Sequence, residues 1–316
     1  MNLRQLRTFA LIAEHGSIRA AARALSVTQP AATRSLRELE TSVGVDLVRR
    51  SVKGVELTTY GEALYKRAVV ILQETRRARE EIGQMRDGEG GTLNLAVSSA
   101  ALVVVPAALS AFRARMPRVA VSFNEVAPPH SHEQLESGRY DLLVQTEYDG
   151  DVGDRFCHHT LFLLPVAIGG RVGHPLRRAN SLADLQDALW VVPGNAGAPT
   201  NLLRLAFAAQ GLPPPPDIIA CQSIAVALAI MAESDALGIF VRPLFEHHLL
   251  PPQMRMMPLK HELPAARVSV VTRADSPLTP AAQCFMECLI AARDGVLECA
   301  ARRELQGNAR GSRKHG

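Results

Sequence analysis

Gln29, Thr33, Arg34 and Arg37 lie in one stretch, TQPAATRSLRELE (28–40), at spacings that bring them to one side of a helix. Their chemistry is that of base-edge recognition. Gln pairs bidentately with adenine, Arg with guanine, and Thr or Pro touches a thymine methyl. Pro30 falls in the first turn, where its missing N–H costs nothing. The polar side therefore begins at the helix tip, the end that enters a major groove. Ala32, Leu36 and Leu39, at i, i+4 and i+7, make the apolar side. An amphipathic helix with a merely solvated polar face carries the same pattern, so the surrounding elements decide between the two.

Little else is arranged for catalysis. The chain has no Walker A loop and no GxGxxG, GxSxG or HExxH motif. His158-His159 and His247-His248 read as strand neighbours whose rings point to opposite faces, poor for joint ligation. His130, His132 and Glu133 have the types of a metal set, yet in a Pro-rich loop they also suit water. Five cysteines (157, 221, 284, 288, 299) form an odd, scattered set. That excludes a disulfide framework and fits a reducing compartment. Cys284 and Cys288 share a helix face, as buried small side chains or as a redox pair. The expectation is a non-enzyme with no cofactor and no metal.

Short helices position the 28–40 segment. Residues 2–15 put Leu3, Leu6, Phe9, Ala10 and Ala13 on one face and stop at Gly16. Ser17 opens a second helix with Ala21, Ala22 and Leu25 inward, Ser26-Val27 turns, and Thr28 caps the third. This is a helix-turn-helix pattern. Ser17 and Thr28 fit as caps and also as phosphate donors. Residues 45–58 alternate as a hairpin turning near Lys53-Gly54, a wing whose Arg50 and Lys53 suit phosphate or minor-groove contact. Thr59 and Glu62 read as a capping box for a long helix. Along it Leu64, Ala68, Ile71, Thr75, Ala78, Ile82 and Met85 repeat at alternating spacings of four and three. With charge on both flanks, that heptad seam reads as a dimerising coiled coil rather than a helix packed on its own domain.

Charge is divided unevenly. Residues 1–88 hold 15 Lys/Arg against 10 Asp/Glu, 302–316 hold five against one, and the whole chain is only +4. A basic first segment suits a polyanion; the basic tail reads as disordered. The longest apolar runs are too short for a bilayer and the N-terminus has no signal-peptide block, so a cytoplasmic protein without a membrane partner is expected.

After the joint DGEGG (87–91), strands and helices alternate: TLNLAVSS, helix 106–117, VAVSFNEV, helix 131–138, YDLLVQT. The rhythm returns from about 161 with LFLLPVAIG, helical LADLQDAL, WVVP, helix 200–210, DIIACQS, helix 224–233 and LGIFVRP. RVSVVTR and a long helix from Thr279-Pro280 close the series. This indicates parallel α/β sheets, which bind ligands beyond the carboxyl ends of their strands. Those ends carry Ser98, Ser99 and Ala100, then Glu125 and Val126, then Ser223. Pro199 and Thr200 precede a helix, and Phe240 is suited to an apolar wall. Hydroxyls and free helix N–H groups favour an anion, although Ser98, Ser99 and Thr200 also fit as caps.

The run from Ser17 to Leu64 resembles the DNA-binding domain of LysR-type transcriptional regulators. Its anchors Ala21-Ala22-x-x-Leu25, Thr28-Gln29-Pro30-Ala31, Leu39-Glu40, Leu47-x-x-Arg50 and Leu57-Thr58-x-x-Gly61 fall in the family's order. VVVPAALSAFRARMPRVAVSF, LESGRYDLLV, GHPLRRANSLADL and LGIFVRP resemble its effector domain. Val43 and Val48 stand where the family has leucine and phenylalanine, which implies looser wing packing. Ser234-Asp235 replaces part of a glycine-rich turn, which bears on one pocket wall.

The resemblance implies an α/β fold with an N-terminal all-α winged helix-turn-helix (1–58) and a dimerising linker helix (59–87). The effector part is then two Rossmann-like α/β lobes of periplasmic-binding-protein type, 92–163 with 266–298 and 164–265, before the tail 299–316. It also implies promoter DNA, RNA polymerase, a homodimer through the linker helix and a homotetramer. A small organic acid is the implied co-inducer, held in the interlobe cleft. Alternatives within the family are a regulator without a small-molecule effector and a redox-responsive one. A peroxide sensor would want two cysteines in the second lobe, where only Cys221 lies.

Overall fold

The computed structural model describes residues 1–51, 54–87, 90–126, 129–147, 154–192 and 201–312, without the side chains of 50–51, 84–87 and 297–312. The chain divides into two compact units: Met1–Ile82 with the stretch Glu136–Arg139, and the remainder.

In the first unit α1 (Leu3–His15) starts from a reciprocal capping box between Asn2 and Gln5 and stops at Gly16, whose φ of 57° is left-handed. Helix α2 (Ile18–Ala24) starts at Ser17 and α3 (Gln29–Val43) at Thr28. Ser26, at φ 55°, makes the tight turn between them. Phe9, Ile12, Ala21, Leu36, Leu39, Leu47 and Ala68 form the core. Strands β1 (Val48–Ser51) and β2 (Gly54–Leu57) pair antiparallel as the wing. Two bonds hold the wing in place. The Glu40 carboxylate accepts from the Leu47 N–H at 3.0 Å, and the Val55 N–H donates to the Gly16 carbonyl at 2.9 Å. A Cβ on Gly54 would lie 2.6 Å from that Gly16 oxygen, so only glycine allows this approach. Of the two departures, Val48 packs against the core and Val43 is exposed.

Helix α4 (Thr59–Asp87) is capped differently from expectation. Thr58 is the cap: its hydroxyl oxygen accepts from the Gly61 N–H at 3.0 Å while its proton goes to the Asp46 carbonyl at 2.8 Å. Thr59 is already helical, so the Thr59–Glu62 box does not form. The heptad seam also divides. Of its members Leu64 and Ala68 pack on the winged-helix core, joined there by Leu72 from beside the seam, whereas Ile71 and Ile82 stay 38% and 65% exposed. Burial against the chain's own domain takes Leu64 and Ala68, while Ile71, Ala78 and Ile82 remain exposed; the side chain of Met85 lies outside the described residues.

The second unit holds two five-stranded sheets. In the first lobe β3 (Thr92–Val97) pairs parallel with β4 (Ala120–Glu125) and β5 (Leu142–Glu147), while β12 (Ala266–Arg273) runs antiparallel to β5 and to β6 (Phe156–Leu164). In the second, β8 (Leu189–Val192) pairs parallel with β9 (Ile218–Ala220) and β10 (Ala236–Val241). There β7 (Val166–Arg171) lies antiparallel to β10 and to β11 (Met254–Met256). The sheets are therefore mixed rather than wholly parallel, because the strands that cross between lobes enter against the βαβ direction. LFLLPVAIG is accordingly two strands in two sheets, divided at Pro165, which has no N–H for a ladder.

Helices α5 (Val105–Arg115), α6 (His130–Glu136), α7 (Leu202–Ala209), α8 (Ile224–Glu233) and α9 (Pro243–Glu246) connect the strands. LADLQDAL supplies only a 3-10 turn, Ala183–Leu185. Helix α10 (Pro280–Ser312) packs on α5, with Phe285 edge-on to Phe112 at 5.4 Å between ring centroids. Residues 299–312, expected to be disordered, continue this helix, as a run rich in Ala, Arg, Glu, Leu and Gln favours. Residues 313–316 lie outside the described residues. Among those described, no helix is long and apolar enough to cross a membrane.

Candidate nucleic-acid interface and effector cleft

Gln29, Pro30, Thr33, Arg34 and Arg37 line one open groove, together with Glu38 and Thr41. Beneath them Ala32, Leu36 and Leu39 are buried, which fixes the rotation of α3. Thr33 donates its hydroxyl proton to the Gln29 carbonyl at 3.0 Å. Among the described residues no acceptor pairs with the Arg34 or Arg37 guanidinium. The neighbouring Glu38 accepts instead from the Gln5 side chain at 3.2 Å. Ser17 and Thr28 serve as caps, their oxygens accepting from Ala20 and Ala31 at 3.3 and 3.4 Å. A capping hydroxyl keeps its own proton for a further acceptor. In the wing, the Arg50 backbone pairs opposite Val55, while its side chain and the whole of Lys53 lie outside the described residues. Glu40 was not among the sequence candidates. The signal was present, since Glu40 follows the buried Leu39 and directly faces the start of the wing.

The strand ends of the second unit carry several engaged groups. Ser98 accepts from the Thr146 N–H at 3.2 Å, tying β3 to β5. Ser99 opens a 3-10 turn, Ser99–Val103, and its hydroxyl has no partner among the described residues. Ala100 is buried. Val126 packs on the cluster of Ala96, Leu135, Tyr140 and Leu143. Ser223 caps α8, accepting from the Val226 N–H at 3.4 Å. Phe240 is part of the core and lies edge-on to Phe245 at 5.9 Å. Pro199 and Thr200 lie outside the described residues; Asn201, just after them, caps α7 by accepting from the Leu203 N–H at 3.0 Å.

Two further residues stand out: Glu125, named above only as part of a strand end, and Arg242, absent from the sequence candidates. The Glu125 carboxylate, at the end of β4, accepts from the Ile224 N–H at 3.0 and 3.2 Å across the lobes. Arg242, directly after β10, has a buried Nε without a hydrogen-bond partner among the described residues. Its backbone N–H donates to the Pro165 carbonyl, at the crossover between lobes, at 2.7 Å.

The histidines do not converge. His130 meets Glu133 at 3.2 Å on the surface, whereas His132 contacts Gln145 at 3.1 Å. Burial, aided by His158, lowers the His132 pKa, against a smaller opposing pull from Glu147. Glu147 pairs with His158 and accepts from Ser269 at 2.7 Å. Among the described residues no group of three could hold a metal. His247 and His248 follow α9 instead of lying on a strand. Cys284 and Cys288 are buried, and burial raises the Cys284 pKa.

A helical head with an exposed reading helix, followed by two mixed sheets around an interlobe crossover, agrees with what comparison with known proteins finds. The profile described as "Bacterial regulatory helix-turn-helix protein, lysR family" matches residues 3–62. The "LysR substrate binding domain" matches residues 86–294. The chain belongs to the LysR family of bacterial transcriptional regulators: it has their DNA-binding helix-turn-helix and their effector-binding domain.

Among curated relatives, the transcriptional regulator GbpR of Azospirillum brasilense is 29% identical over 93% of this chain and 87% of its own length. GbpR of Rhizobium radiobacter is 31% identical over 74% of this chain and 79% of its own. The SDS degradation transcriptional activation protein of a Pseudomonas species is 29% identical over 89% and 93%. Among solved structures, the LysR family regulator CbnR aligns with a TM-score of 0.69 at 22% identity, covering 93% of this chain and 99% of that one. Full-length CbnR complexed with its target DNA aligns with a TM-score of 0.68 at 23% identity, over 92% and 100%. These likenesses concern the fold.

Proposed function

We propose that this LysR-type regulator reads promoter DNA with the exposed side of α3 and changes its grip on that DNA when a small organic anion enters the interlobe cleft. The observation that carries the DNA half is the unpaired state of Arg34 and Arg37 beside Gln29 and Thr33 in one groove. A guanidinium without an internal partner is ready for guanine or phosphate. One α3 reads only a few base pairs, so two copies must act on paired half-sites. The exposed Ile71 and Ile82 on α4 suit that pairing. A homodimer through α4, its assembly into a homotetramer that bends the promoter, RNA polymerase as a further partner and a cytoplasmic location complete the reading.

The anion half is supported by the free Ser99 hydroxyl at the end of β3 and the unpartnered Nε of Arg242 at the end of β10. Both suit a carboxylate or sulfonate. For a redox-responsive alternative the neighbouring Cys284 and Cys288 have little support, being buried, and the second lobe carries only Cys221.

The test has two parts. Promoter fragments from the neighbouring divergent genes should shift in gels with the wild type, and Arg34→Ala should weaken the shift and relax its sequence preference. A thermal-shift panel of aromatic and aliphatic carboxylates and sulfonates should contain members that raise the melting temperature. An unchanged Arg34→Ala profile would remove the DNA assignment. A panel with no effect on the wild type would remove the anion.

A further inference from the structure

Glu125 is a charged side chain whose hydrogen bonds among the described residues go to one group only. Both carboxylate oxygens lie within reach of the Ile224 N–H, at 3.2 and 3.0 Å. Among the described residues no Lys or Arg pairs with it. Ile224 is the first residue of α8, a ten-residue helix in the second lobe. Glu125 is the last residue of β4 in the first lobe. The contact thus spans 99 positions of chain and crosses from one lobe to the other. Its neighbours on both sides, Val126 and Ser223, are candidate effector residues. Ser223 is already committed to capping α8 through Val226, so the Ile224 N–H is a second, separate donor at the same helix end. A carboxylate there also gains from the helix dipole.

We propose that Glu125 is an interlobe clasp and the cleft's own competitor for an anionic effector. In the effector-free protein its charge satisfies the first turn of α8 and links the lobes. An effector carboxylate or sulfonate that enters the cleft meets this like charge and must release the clasp. Glu125 therefore sets the response threshold, and it discriminates against dianions more strongly than against monoanions. This inference rests on the reading that the cleft takes an anion, but the clasp itself is measurable without any effector.

The experiment has an effector-free arm and an effector arm, both on the full chain. Without effector, amide hydrogen exchange is followed at Ile224, with Val226 as the internal control because Ser223 holds it independently. Glu125→Ala should speed exchange at Ile224 about tenfold or more, the equivalent of losing a typical single hydrogen bond, and leave Val226 unchanged. Glu125→Gln keeps an acceptor oxygen and should retain part of the protection. Unchanged exchange at Ile224 in Glu125→Ala overturns the clasp.

In the effector arm, the carboxylate and sulfonate panel is titrated against wild type and Glu125→Gln. The variant should bind a responding monoanion about tenfold tighter, which is 1.4 kcal/mol, and gain more for dianions. Equal or weaker binding by the variant overturns the competition. A panel member that shifts only the variant supports it. If no member shifts either protein, the anion reading of the cleft falls, and hydrogen exchange alone still decides the clasp.

Discussion

On α3 the polar groups are spare: Arg34 and Arg37 have no internal acceptor among the described residues, and Glu38 is turned to Gln5. At the strand ends of the second unit most polar groups are already engaged, the Ser99 hydroxyl and the Arg242 Nε being the exceptions among the described residues. Ser98 holds Thr146, Ser223 holds Val226 and Glu125 holds Ile224. On the proposed reading a densely charged duplex meets the first set with no bond inside the protein to be broken. The second set must exchange one partner for another. If α3 takes DNA and the cleft an effector as proposed, the first can be left open, whereas the second needs a defined unliganded state.

If the contrast holds, removing a spare group should cost binding and leave stability intact, and removing an engaged group should do the reverse. Arg34→Ala is expected to have the largest effect, weakening promoter binding about 10- to 100-fold, as one bidentate base contact would, with an unchanged melting temperature. Fluorescence anisotropy and a melt of the same sample read both. Glu40→Ala should cost about 1–3 kcal/mol by stranding the Leu47 N–H; chemical denaturation measures this. DNA binding at a temperature where that variant stays folded should hold, and its loss there would show that the wing's anchor counts as part of the binding surface. Ser98→Ala should cost about 1 kcal/mol without altering affinity for DNA, and a loss of DNA binding with full stability would break the contrast.

The smallest effect concerns pH. Burial holds the His132 pKa below its ordinary 6.5. As the pH falls, the unfolded chain takes that proton before the folded one does. The contribution to stability is therefore complete above about 6.5 and is lost as the pH drops from there through the lowered value. Melts across this window should fall with acid in the wild type and flatten in His132→Gln, with His158 and Glu147 the charged neighbours common to both.

Much of this was legible in the chain. The period of Ala32, Leu36 and Leu39 set the rotation of α3, and the same residues are its buried face. Gly16 and Thr28 marked helix ends because their backbone and side-chain chemistry act locally. What could not be read was non-local. Thr58 rather than Thr59 caps α4 because Thr58 also donates to Asp46, twelve residues away. The first heptad residues were claimed by their own domain because the winged-helix core offered a surface that spacing does not reveal. Strand direction at β6 and β12 followed from crossing between lobes, which no period encodes. The partner of Glu125 and the place of Arg242 went unread for a related reason, as they depend on what lies across a gap in sequence.

The strand order of the first sheet bears on synthesis. Strand β12 sits between β5 and β6, yet it is the last strand made. A nascent chain can finish the second sheet, from β7 to β11, while the first still lacks an inner strand. Until Ala266–Arg273 leaves the ribosome, β5 and β6 present unpaired edges toward each other, the kind of template on which neighbouring chains pair wrongly. The later lobe in sequence is thus the first that can close, and the first lobe's sheet is completed only after the whole second lobe has been made.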